Sequence, residues 1–198
     1  MTHRFFSTSA SDEQLSVQRR DVLKLGFAGV IGAMVPFVGA RNVLAANNSS
    51  AWKISIRHAH TGESYSGVYR VGDKYLPEAF ERLNYVLRDF RTREVFPMDP
   101  HVVDILSVIQ RKVDYDEPFN ILSGYRSPKT NAMLSRKKNG VASNSFHMYG
   151  QALDIQARGY STRKLRNAAK SLSAGGVGYY PRSSFVHIDT GEVRSWTS

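Results

Sequence analysis

From residue 47 onward, the apolar positions switch between two rhythms. Trp52-Lys-Ile-Ser-Ile56 alternates apolar and polar residues, the period of a half-buried strand, and Tyr65–Val71 can return beside it across His60-Thr-Gly-Glu63. Over 77–90 the spacing lengthens to that of a helix. Phe80, Leu83, Leu87 and Phe90 make one apolar face, with Pro77 at the first position. Asp99-Pro100 caps and opens a second helix whose buried side is Val102, Ile105, Leu106, Ile109 and Val113. Phe119–Leu122 reads as a short strand, and Ser127-Pro128 opens a two-turn helix to Leu134. Residues 135–146 are polar and basic with a turn at Asn139-Gly140, which predicts a mobile loop. A strand at Gln151–Ala157 follows, then a helix from a Ser161 cap through Leu172, a break at Gly175-Gly176, and closing strands at Val177–Tyr180 and Phe185–Asp189. The order predicts one compact α+β domain, a small antiparallel sheet flanked by helices.

The first 46 residues follow a different rule. A polar stretch leads to Gln18-Arg-Arg-Asp-Val-Leu-Lys24, then to an apolar run of 14 residues, Leu25–Val38, and to small residues at Val43-Leu-Ala45. That run is short of the roughly 20 residues a spanning helix needs, and Gly26, Gly29, Gly32 and Pro36 weaken it as a helix. Paired arginines before it predict a twin-arginine export signal over 1–46, with residues 47–198 as the exported domain and the periplasm as its destination. Contact with the membrane is then confined to the signal during export.

Composition narrows the chemistry. With no cysteine in 198 residues, disulfides, thiolate-zinc fingers and thiol nucleophiles are excluded, so any metal is held by His, Asp or Glu. The net charge of +10 falls only to +8 without residues 1–45, so the exported domain is itself basic and suits an anionic partner. No recognition helix, zinc finger or aromatic RNA-binding signature accompanies that charge, which points away from nucleic acid and leaves an anionic polymer such as the cell wall. A monomer is expected.

Candidate chemistry gathers at Ser145-Phe-His-Met-Tyr-Gly-Gln-Ala-Leu-Asp-Ile155. Alternation on Gln151–Ala157 puts Ala152, Asp154 and Gln156 on one side, and on Phe185–Asp189 it puts Phe185, His187 and Asp189 together. If these strands pair, one face is core and the other presents Asp154 beside His187. His147, just before the Gly150 turn, can reach in as a third group. Two imidazoles and a carboxylate leave a fourth tetrahedral position open, as catalytic zinc requires. Asp189, about 7 Å along the strand from His187, is the candidate base. Arg126 is a candidate for a substrate carboxylate or oxyanion. As alternatives, Asp189 orients His187 from behind and Ser127 caps a helix; His58-x-His60 is a second candidate metal pair, for which a structural or rim role is the favoured reading. Gly176-Val-Gly178 lacks the following helix of a phosphate loop.

These residues lie in a fixed order: Ser123-Gly-Tyr-Arg-Ser127, then His147 and Asp154, then His187 on a strand. In that order the chain resembles the LAS-type zinc peptidases, and within them the exported murein endopeptidases. The resemblance runs from His60-Thr-Gly-Glu63 and Leu87-Arg-Asp89 to Gly176-Val-Gly-Tyr-Tyr180 and Phe185–Gly191. It implies the D-alanyl-D-alanine peptidase/hedgehog-like fold and one Zn2+ per chain on His147, Asp154 and His187. It further implies Arg126 in substrate positioning, Tyr125 and Ser127 beside the substrate, and peptidoglycan as the partner. The implied reaction is hydrolysis of stem-peptide cross-links. D,D- or L,D-carboxypeptidase action and a non-catalytic wall-binding module are the alternatives. D-alanyl-D-alanine peptidases of this fold carry an acidic base three residues before the last histidine; here that position is Ser184.

Overall fold

A computed structural model describes residues 50–137 and 142–198. The expected export signal and the Asn139-Gly140 turn lie outside the described residues. Among the described residues, no helix is long and apolar enough to cross a membrane.

The sheet has eight strands: β1 (Ala51–His58), β2 (Ser64–Val71), β3 (Lys74–Tyr75), β4 (Phe119–Ser123), β5 (Ala152–Gln156), β6 (Gly176–Tyr180), β7 (Phe185–Asp189) and β8 (Arg194–Thr197). Their order is β3-β2-β1-β4-β5-β7-β6-β8. The class is α+β, but the sheet is larger than expected and mixed. β1 runs parallel to β4 and β6 parallel to β8, while the other neighbours are antiparallel. β3 and β8 carry no apolar alternation, so the pattern did not announce them.

Among the described residues, four α-helices accompany the sheet: α1 (Pro77–Val86), α2 (Pro100–Lys112), α3 (Pro128–Lys137) and α4 (Thr162–Lys170). Asp99 caps α2 by accepting from the His101 N–H, and Ser161 caps α4 by accepting from the Lys164 N–H. α1 stops short of the expected 90. The Asp89 carboxylate takes the backbone N–H groups of Arg91 and Thr92 at 2.9 and 3.4 Å, and that local turn competes with further helix. On α2 the buried apolar positions are Val102, Val103, Leu106 and Ile109, with Ile105 only partly covered. Asp104, on the same helix, accepts from the hydroxyls of Tyr69 and Tyr75 at 2.8 and 2.7 Å and from Arg70 at 2.7 Å, tying α2 to β2 and β3.

Leu153, Ile155, Val186 and Ile188 are fully buried in the core with Ile56, Phe119, Ile121, Leu106 and Leu165. Each such side chain contributes about 1.5–3 kcal/mol by leaving water. Slipping β5 by one residue would turn Leu153 and Ile155 out and put Asp154 into the core, so the apolar set fixes the register. Gly150 then sets where the preceding turn enters β5. It adopts φ +67°, and a Cβ there would collide with the Pro97 carbonyl. Gly150→Ala is expected to cost about 2–4 kcal/mol, from the left-handed backbone and the collision together. A thermal melt should show Tm lower by roughly 5–15 °C; an unchanged Tm would contradict this account of the turn.

Candidate metal centre

Register builds the site as a straight row across five strands. Ser123 on β4 pairs with Asp154 on β5, Asp154 with His187 on β7, His187 with Gly178 on β6, and Gly178 with Trp196 on β8. Because partners across a sheet share a face, the hydrophobic register that buries Leu153 and Ile188 also holds Asp154 against His187. His147 joins from a single 3-10 turn, Phe146–Tyr149, that ends at Gly150.

The three side chains converge. His147 Nε2 lies 3.3 Å from His187 Nδ1 and 3.3 Å from Asp154 Oδ1, and His187 Nδ1 lies 2.9 Å from the same Oδ1. The other nitrogen of each ring is committed. His147 Nδ1–H donates to the Gly124 carbonyl at 2.8 Å, and His187 Nε2–H donates to Asp189 Oδ2 at 2.9 Å. With those protons placed, the lone pairs of His147 Nε2 and His187 Nδ1 meet a carboxylate oxygen in a buried space. Three acceptors facing each other repel unless positive charge, a proton or a metal ion, lies among them. Zinc–nitrogen bonds of 2.0–2.1 Å at tetrahedral angles set donor atoms about 3.3 Å apart, which matches the two separations made by His147, while His187 and Asp154 stand closer at 2.9 Å. The backing of each imidazole by a carbonyl or a carboxylate is also what a metal-bound histidine uses to fix its tautomer. The residues fit one zinc ion with a fourth position left over.

In the metal-free protein that positive charge is a proton on His187. Burial lowers the His147 pKa, keeping that ring neutral, and the Asp154 carboxyl is held well below its usual range, against the cost of burial, by the two histidines. For His187, burial acts downward, but hydrogen bonds to Asp154 and Asp189 outweigh it and raise the pKa to about 9.

Asp189 sits behind His187. It is fully buried, and besides His187 it accepts from Arg194 at 2.7 and 3.0 Å and from the N–H groups of Gly176 and Gly191 at 3.1 and 2.9 Å. Burial opposes its ionisation, yet these donors hold its pKa well below the usual carboxylate range. Its contact is with the ring nitrogen that faces away from the cluster. Every oxygen is occupied, which does not suit a base for a proton on the far side of the ring. Glycines make the room: a Cβ at Gly176 would strike Arg194 and Asp189, one at Gly191 would strike the Phe146 ring, and one at Gly178 would lie 2.6 Å from the Trp196 indole. The Gly176-Val-Gly178 pair thus has a steric use.

Arg126 reaches the cluster from the loop after β4. Its Nη2 lies 3.5 Å from Asp154 Oδ2 and 3.3 Å from Ser123 Oγ, its Nη1 donates to Asn131 Oδ1, and its buried Nε–H meets no acceptor among the described residues. Asn131 also donates to the Ala142 and Ser143 carbonyls, so it ties Arg126 to the next loop.

The expected substrate contacts at Ser127 and Tyr125 do not fit their places. Ser127 is buried; its hydroxyl donates to Asp89 Oδ2 at 2.6 Å and accepts from the Thr130 N–H. Tyr125 is buried too, stacked on Phe96 with its hydroxyl on Glu94. Both side chains brace the 87–96 loop. Ser184 lies exposed in the turn before β7 and offers no carboxylate. His58 and His60 do not pair as ligands. His58 Nδ1 accepts the His60 N–H, burial lowers the His58 pKa to about 4, and His60 stacks on Phe90 at 4.2 Å.

A family model described as peptidoglycan L,D-endopeptidase MepK matches residues 46–196. The chain belongs to the MepK family. It is 38% identical over 184 residues to the peptidoglycan L,D-endopeptidase MepK of Escherichia coli (strain K12), covering 93% of this chain and 100% of that protein. It is 40% identical over 144 residues to the probable peptidoglycan L,D-endopeptidase MepK of Haemophilus influenzae, covering 72% and 77%. A shorter likeness, 33% over 86 residues, joins it to a zinc D-Ala-D-Ala carboxypeptidase of Streptomyces albus G, covering 42% and 32%.

In the metal-free protein, the proton on His187 must leave before a metal binds. Zinc affinity at fixed ionic strength should therefore rise about tenfold per pH unit from 6 towards 9 and then flatten, with one proton released per metal. Calorimetry in buffers of different ionisation enthalpy measures that proton directly. A pH-independent affinity would contradict the hydrogen-bonded His187 described above.

Proposed function

We propose that this chain is an exported zinc L,D-endopeptidase that hydrolyses peptide cross-links of peptidoglycan, such as those between diaminopimelate residues. The observation that carries the reading is the convergence of His147 Nε2, His187 Nδ1 and Asp154 Oδ1, each ring fixed from behind. Family membership supports the substrate class. Zinc, when bound, supplies Lewis acidity towards the scissile carbonyl and activates water.

The chain's own residues do the rest. His147, Asp154 and His187 hold the ion, and Asp189, clamped by Arg194, fixes the His187 ring so that Nδ1 faces inward. This reassigns Asp189 from base to orienting group. Arg126 is held by Ser123, Asn131 and Asp154 through three of its five N–H groups, and its fixed charge beside Asp154 suits it to grip a carboxylate or carbonyl oxygen of the substrate. The basic charge favours the encounter with an acidic wall polymer, and the domain acts as a monomer in the periplasm after twin-arginine export.

Incubating the full chain with purified cross-linked peptidoglycan, with and without a chelator, tests the reading by product mass. Monomers released from dimers, lost on chelation and restored by zinc, are expected, and His187→Ala should lose at least about a thousandfold in turnover. Loss of single terminal residues with dimers intact would instead favour the carboxypeptidase. Bound zinc and firm wall binding without any new fragment would favour a binding module. Affinity for sacculi should fall as salt rises from 50 to 300 mM, because exposed charge is screened within about 8 Å at physiological ionic strength. Salt-independent binding would contradict a charge-led encounter.

A further inference from the structure

Tyr180 lies on the same sheet face as His187, two residues beyond Gly178, and the ligand set makes no use of it. Its ring is stacked flat on Phe185, with centroids 4.3 Å apart and 9° between planes. Its hydroxyl accepts the Trp196 Nε1–H at 3.1 Å. The Trp196 indole fills the space that Gly178 leaves and packs 5.3 Å from the His187 ring. The phenol is therefore held in plane by one neighbour and at its oxygen by another, one indole away from a candidate metal ligand.

A phenol has one proton to give and lone pairs to accept with. Trp196 occupies an acceptor site, while no acceptor for the Tyr180 proton occurs among the described residues. Burial lowers the Arg126 pKa, and Tyr180 is among the groups close enough to oppose that. A half-buried donor fixed before substrate arrives has no reorganisation left to undergo when charge develops, which is what stabilisation of an oxyanion rewards.

We propose that Tyr180 is a catalytic residue whose phenolic O–H donates a hydrogen bond to the scissile carbonyl oxygen as it gains negative charge, with Trp196 as its positioning residue. This rests on the peptidase reading above. A role in packing alone would need the ring and not the hydroxyl, so Tyr180→Phe separates the two.

The test compares the full-chain parent and Tyr180→Phe at equal zinc content on a cross-linked dimeric muropeptide. The variant should lose about a hundredfold or more in kcat, the cost of one oxyanion donor, with KM within about threefold. Its affinity for a phosphinic dipeptide, a tetrahedral mimic, should fall by a similar factor, while zinc content and Tm stay at parent values. Trp196→Phe should lose part of that activity, and the double variant should be no slower than Tyr180→Phe. A kcat within threefold of the parent, or a fall matched by lost zinc, would overturn the assignment of Tyr180. Additive losses in the double variant would overturn the role given to Trp196. A parent that cleaves nothing would sink the peptidase reading itself, whereas an active parent with an equally active Tyr180→Phe sinks only this inference.

Discussion

His187 is gripped between two carboxylates, and the arrangement of the site follows from which ring nitrogen each one holds. Asp189 takes the Nε2 proton at 2.9 Å, which leaves Nδ1 to face Asp154 and His147. If Asp189 were turned away, the imidazole could flip, and the convergence of three acceptors would be lost. The protein commits much to prevent that. Arg194 and two backbone N–H groups saturate Asp189, and Gly175, Gly176, Gly178 and Gly191 clear the space around it, Arg194 and Trp196. A buried carboxylate without such donors would stay protonated instead of holding the ring.

The scaffold serves the same end. Apolar burial on one face of β5 and β7 specifies a register, and that register places Asp154 opposite His187 on the other face. His147 is tied to the same frame through its carbonyl, which accepts the Arg126 N–H, and through Nδ1 on Gly124. Gly124 must be bare because a Cβ would strike the Leu87 carbonyl, so the 87–96 loop presses directly on the loop that carries Arg126. Asp89, whose pKa is brought down to about 2 by its donors against the cost of burial, holds Ser127 in that seam. The His147–Asp154–His187 cluster and the guanidinium are thus positioned by one connected body.

Sequence pattern made Asp154 and His187 neighbours because period-two alternation states which residues share a face, and paired strands then leave little choice. It could not say that Asp189 lies behind the ring, since alternation gives the side of the sheet and not the nitrogen that is contacted. Arg194 and Trp196 were missed for a plainer reason. β8 is an edge strand, Arg-Ser-Trp-Thr, without an apolar rhythm to mark it. Glycines at 176 and 178 inside a strand were the available signal, since bare backbone implies something packed against it. Tyr125 and Ser127 follow a similar logic: the resemblance over Ser123–Ser127 implied the substrate side, while burial turned both into braces. Leu87 and Phe90 kept helical spacing, but Asp89 between them folds the chain into a turn.

A crystal structure of the zinc-loaded protein with anomalous data at the zinc edge tests the central claim most directly. The account predicts one peak with His147 Nε2, His187 Nδ1 and an Asp154 oxygen at about 2.0–2.2 Å, and Asp189 still on His187 Nε2. A zinc ion bound through Nε2 of His187, coordinated by Asp189, or seated at His58 and His60 would contradict it.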